Sequence, residues 1–102
     1  MMSRSVCSMP LSPALKIPIH RHPLTSEDVI LLRGRAEEVF YDDNGKETAK
    51  YTLEPGSEVV AIHAPGGQYH TCRSLMSGTV IMEFKNTRYS LQGTENWSQE
   101  SE

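Results

Sequence analysis

The chain is short of the features that would place it in a bilayer, on nucleic acid or outside the cell. No aliphatic run exceeds that of Val29-Ile30-Leu31-Leu32, against the ~20 apolar residues a membrane crossing needs. No apolar stretch of the kind that forms an export signal follows Arg4, so the expected address is cytoplasmic. Basic clusters are missing too. The ten Lys and Arg are scattered among thirteen Asp and Glu for a net charge of −3, which offers no stripe to neutralise phosphates, and nucleic acid is not an expected partner. Cysteine is limited to Cys7 and Cys72, far apart in a chain with no other secretory feature, and both read as reduced thiols.

What is present fits one small domain. The 102 residues, 37% apolar and 23% charged, match an ordinary globular unit that buries only ~65% of its unfolded surface. A core so small gains from pairing, and a homodimer is expected. Turn formers recur at Pro23 to Ser26, Asp42-Asp43-Asn44-Gly45, Glu54-Pro55-Gly56, Ala64-Pro65-Gly66-Gly67 and Ser77-Gly78. Between them lie seven short pieces, most of them rich in β-branched or aromatic residues: 17–22, 28–33, 35–41, 46–53, 59–62, 68–74 and 79–85. No piece shows a capped 3.6-residue period, so the expected architecture is an all-β sandwich or barrel. Asp43-Asn44-Gly45 marks the clearest hairpin, because Asn-Gly accepts the positive φ of a tight turn. The segment 1–14 mixes Ser, Pro, Met and Arg without a period and reads as a flexible extension, 15–92 as the folded domain, and 93–102 as a polar tail.

One constellation carries chemistry. His20 and His22 alternate on an expected strand, so both imidazoles leave one face with Cα atoms ~6.5 Å apart, a spacing suited to one metal ion. Glu27 follows the Pro23 to Ser26 turn and can bring a carboxylate back to the same place. His70 closes Pro65-Gly66-Gly67-Gln68-Tyr69-His70, where the proline and glycines turn the chain and the next strand aims the ring inward. Three imidazoles and one carboxylate suit a divalent Fe, Mn, Ni, Co or Zn ion, and the donors alone do not choose among them.

These residues resemble a family. His20-x-His22-(x)4-Glu27-(x)6-Gly34 is similar to the first cupin motif at every spacing, and Pro65-x-Gly67-x-x-His70 to the core of the second. Val59 and Ser74 stand where a glycine and an asparagine are usual; neither is a ligand position. The likeness narrows at Leu31-Leu32-Arg33-Gly34-Arg35, Phe40 to Gly45, Leu53-Glu54-Pro55-Gly56, Ser77-Gly78-Thr79-Val80 and Glu83-Phe84-Lys85, which look like the WbuC-type cupin-fold metalloproteins. The resemblance implies a small antiparallel jelly-roll barrel holding one metal through His20, His22, Glu27 and His70. It also implies a small sugar-like or oxygen-rich ligand, through an association with polysaccharide genes. Three activities stay open: isomerase or epimerase chemistry with Glu27 as ligand or proton-transfer group, iron-dependent dioxygenation, and metal-dependent binding without turnover.

The remaining polar residues take plainer readings. His63 lies off the motif and reads as a strand-end residue. Arg21 and Tyr69 alternate with ligands and must point away from them. Cys72 and Gln68 share the parity of His70, and Cys72 reads as a small packing thiol. Glu37 and Glu38 read as solvated surface, Arg33 and Lys85 as surface charges near the barrel mouth in preference to holders of an anionic substrate, and Trp97 as an anchor that packs the tail onto the barrel or a second subunit.

Overall fold

Alternating apolar and polar residues, broken by glycine and proline turns, produce strands throughout, and no helix occurs among the described residues. The computed structural model describes residues 3–11, 17–87 and 94–98. In chain order the strands are β1 Ser3–Leu11, β2 His20–Arg21, β3 Ser26–Arg33, β4 Ala36–Tyr41, β5 Glu47–Leu53, β6 Ala61–Ala64, β7 Tyr69–Ser74, β8 Thr79–Thr87 and β9 Glu95–Asn96. They form two antiparallel sheets, one ordered β1-β8-β3-β6 and the other β5-β4-β7-β2-β9. This is an antiparallel jelly-roll, all-β as the strand pattern led one to expect and of the kind the motif resemblance implied. Among the described residues no helix is long and apolar enough to cross a membrane.

Register decides what fills the space between the sheets. On β3 the residues Glu27, Val29 and Leu31 are buried while Asp28 and Leu32 are exposed, the two-residue alternation of a sheet with one covered face. Leu31 stands opposite Ile81 on β8, and Ala36 on β4 opposite Leu53 on β5. These four pack with Val29 and Cys72 into one cluster. It fills one end of the barrel, leaving Glu27 and the residues level with it at the other. Gly34 carries the chain from the first sheet to the second at φ +90, and a Cβ there would sit 2.6 Å from Thr79 Cα. Only glycine meets both conditions.

The chain termini differ from the sequence reading. The expected flexible extension 1–14 is a strand over Ser3–Leu11, paired along β8 from Ser3 opposite Thr87 to Leu11 opposite Thr79. Its Pro10 is tolerated because β1 is an edge strand, where one backbone N–H is dispensable. At the other end Glu95–Asn96 of the expected tail pairs with His20–Arg21. The Trp97 amide donates to Ile19 O at 2.8 Å and its indole to Asp43 O at 3.2 Å. Trp97 anchors the tail, and its ring lies where a Cβ on Gly45 would be, 2.3 Å from that position. Residues 99–102 and the 92/93 boundary lie outside the described residues.

Candidate metal centre

Four donors converge at the open end of the barrel from both sheets. His20 stands opposite His70 across β2 and β7, His22 follows two residues after His20, and Glu27 enters from β3 of the facing sheet. The loop after β2 is tied to the glycine turn before β7, since Gly67 N and Thr25 N both donate to His22 O, at 3.0 and 3.3 Å. The two motif segments therefore fix each other. Ring centroids lie 4.6 Å apart for His20 and His70, 5.2 Å for His20 and His22, and 6.3 Å for His22 and His70. One ligand atom from each of His20, His22, Glu27 and His70 lies within 4.8 Å of the others. The structure thus brings together all four residues that the sequence singled out.

The donor chemistry fits a divalent cation. Glu27 is 2% exposed, yet neither carboxylate oxygen has a hydrogen-bond partner. Its Oε1 lies 3.1 Å from His70 Nε2 and 3.5 Å from His22 Nε2. The groups closest to this buried carboxylate are imidazoles, and a metal ion among them would take the place of the His70 proton as its counter-charge. His20 Nδ1 donates to Pro18 O at 2.8 Å, which leaves Nε2 as its ligand atom. His70 Nδ1 bonds to Glu38 Oε2, turning its Nε2 toward Glu27. Carboxylate support on the far nitrogen is the usual way a protein orients a metal-binding imidazole and raises its basicity.

Charge is concentrated here. Burial alone would lower the pKa of His70, but Glu27 and Glu38 flank it and raise it to about 9. Burial would raise Glu27, and the attraction of His70 and His22 holds it below the usual carboxylate range. Burial raises Glu38, only partly opposed by His70. His20 is lowered by burial and its neighbouring imidazoles, against the pull of Pro18 O and Glu27. Glu83 on β8 is pushed up to about 7 by burial and by the nearby Glu27 carboxylate.

Two acids escaped the sequence reading. Glu38 was expected on the solvated surface, and it is fully buried. It belongs to a central strand where it stands opposite Cys72 and so shares the inner face with His70. The signal was parity: of two adjacent residues on a strand flanked on both sides, one must face in. Glu83 follows Thr79 and Ile81 at two-residue intervals on β8, and the same rule carries it inward. Lys85 continues that face, where the sequence reading favoured a surface charge, and it borders a cavity of about 310 Å³ together with Glu83, His20 and His22. Thr94 and Asn96 on the tail form the opposite wall, and Thr94 Oγ1 lies 3.4 Å from His22 Nδ1.

His63 is exposed and bonded to Asp28 at 2.7 Å on the outer face of β3. Arg21 points away from the donors, binding Glu95 at 2.7 Å and stacking 4.6 Å over Tyr69. Cys72 is a buried thiol raised by burial, Gln68 donates to Tyr41 O and Tyr69 O, and Arg33 is exposed. Cys7 lies on β1.

Comparison with solved structures gives this arrangement its context. Oxalate decarboxylase from Bacillus subtilis superposes with a TM-score of 0.70 at 18% identity, over 91% of this chain and 23% of that one. The capsular polysaccharide assembling protein CapF from Staphylococcus aureus gives 0.72 at 18%, over 93% and 28%. A 3,4-ketoisomerase from Helicobacter canadensis gives 0.69 at 14%, over 83% and 62%. The fold is that of the cupins. This chain thus spans about a quarter of the first two neighbours and under two thirds of the third. A family model described as a domain of unknown function, DUF6016, matches residues 7–53, which include His20, His22 and Glu27 but stop short of His70. No curated protein matches the chain.

Proposed function

We propose that this cupin is a metal-dependent enzyme that holds one divalent transition ion through His20, His22, Glu27 and His70 and acts on a small oxygen-rich metabolite. The observation that carries the reading is the convergence of four donors, three imidazoles around the buried Glu27 carboxylate. A bound divalent ion would supply Lewis acidity to ligand oxygens, or dioxygen chemistry if it is iron. The chain's own residues do the rest. Glu38 holds the His70 ring in place, the tail wall bounds the cavity, and Glu27 serves as ligand or, when not ligated, as a proton-transfer group beside it.

The cavity's volume lies at the small end of the ~300–1,000 Å³ range of ligand pockets. That favours a monosaccharide-sized or smaller ligand over a polymer. Isomerisation or epimerisation is preferred, on the WbuC-type resemblance and its association with polysaccharide genes, and on the presence of a ketoisomerase and a capsular polysaccharide assembling protein among the fold neighbours. This support is analogy of fold and family. Binding without turnover and iron-dependent dioxygenation are the competing outcomes. The protein is further proposed to be a cytoplasmic homodimer, to be checked by light scattering at micromolar concentration.

Elemental analysis of untreated protein is the deciding test, with about one divalent ion per chain expected. His20→Ala and His70→Ala should each lose it, and full occupancy in either removes that residue from the ligand set. Metal-loaded protein screened against sugars, sugar nucleotides and small acids then separates the activities. Turnover abolished by chelation and restored by one metal supports the enzyme; tight binding without product supports the binding protein.

A further inference from the structure

The cavity that His20 and His22 line is not uniform in charge. Its acids lie deep. Glu38 is fully buried behind His70, and Glu83 stands opposite Val29, which is itself fully buried. Lys85 stands two residues nearer the open end, directly opposite Glu27. Side chains directly opposite on antiparallel strands have Cβ atoms ~5 Å apart, so the Lys85 stem rises beside the donor carboxylate and its ammonium reaches the rim. Among the described residues Lys85 makes no hydrogen bond or ion pair, and Glu83 attracts it only through space. The facing wall is neutral, Thr94 and Asn96 offering a hydroxyl and an amide. A half-buried lysine lining a cavity, with no close partner among the described residues, is a seat for an anionic group.

We propose that the cavity takes a small metal-chelating oxygen ligand that also carries an anionic group, a carboxylate or a phosphate, held by Lys85 while the chelating oxygens face His20, His22, Glu27 and His70. This rests on the metal-binding reading above. The ligand is compact: Lys85 and Glu27 are register partners, so only three or four bonds separate the chelating oxygens from the anionic end.

A matched series tests it: glycerate, malate and 3-phosphoglycerate share an α-hydroxycarboxylate head and differ in a hydroxyl, carboxylate or phosphate at the far end. Each is titrated calorimetrically into cobalt-loaded protein whose metal content has been measured. Malate, 3-phosphoglycerate or both should bind about tenfold or more tighter than glycerate, the scale of one charge-assisted hydrogen bond. The tighter of the two identifies the anion. Lys85→Met should erase the preference while keeping metal content and glycerate affinity, and Lys85→Arg should keep it. Equal affinities across the series, a preference that survives Lys85→Met, or no ligand binding to metal-loaded protein overturns the proposal. Failure to take up metal is read separately, and it removes the metal-binding reading together with what rests on it.

Discussion

At the residue scale the chemistry turns on the pair formed by His70 and Glu38. With His70 raised to about 9, the metal-free protein carries a proton on this ring at neutral pH, and a metal must displace it. Metal uptake at pH 7 should therefore release about one proton, measurable by calorimetry in two buffers of different ionisation enthalpy. The sign follows from linkage. A folded pKa above the unfolded value near 6.5 gives stability that is complete below pH 6.5 and lost as the pH rises through 9, whereas metal affinity rises over the same window. The gap in Tm between metal-loaded and metal-free protein should accordingly widen from pH 6.5 to 9; a constant gap contradicts the assignment. Glu38→Gln keeps the shape but removes the charge behind His70, and it should weaken metal binding by about 10–100-fold. The four donors were legible because motif spacing and strand parity agree on them. Glu38 was not, because an Asp or Glu is so often solvated that its type outweighed its position, although Ala36 and Glu38 are buried on either side of a partly exposed Glu37.

At the element scale all seven strands expected from the sequence are present, with β2 reduced to two residues. The two that were missed, β1 and β9, have no alternation of their own and exist because β8 and β2 offer them unpaired edges. That is tertiary pairing overriding local propensity. Removing Ser3–Leu11 should leave the full length of β8 as an open edge, and self-association is the expected result, detected by light scattering. The tail is held differently, by Trp97 against the Asn-Gly hairpin. Gly45 has φ +80 and no room for a Cβ beside the indole. Gly45→Ala should cost at least about 1–2 kcal/mol from the backbone alone and should loosen the wall formed by Thr94 and Asn96. A shift of Trp97 emission toward that of a solvated indole, together with a lower Tm, would show both effects; unchanged emission and melting would refute the latch.

At the scale of the whole molecule the barrel divides its labour between ends, an apolar cluster around Leu53 and Ile81 at one and polar donors at the other. Leu53→Ala should cost ~2–5 kcal/mol by denaturant titration while leaving metal stoichiometry intact, since no donor packs in that cluster. The division also has a consequence in time. Among the described residues the ladder partners of β2 are β7 and β9, which come much later in the chain, so His20 and His22 reach His70 only after distant strands have met. Pairings of such long sequence separation are the slow part of folding a β-sandwich, and a metal has no assembled site to grip before they form. Added metal should therefore leave the refolding rate unchanged and act wholly on the return path, slowing unfolding in stopped-flow experiments. The ion would work as a brake on opening rather than as a template for closing.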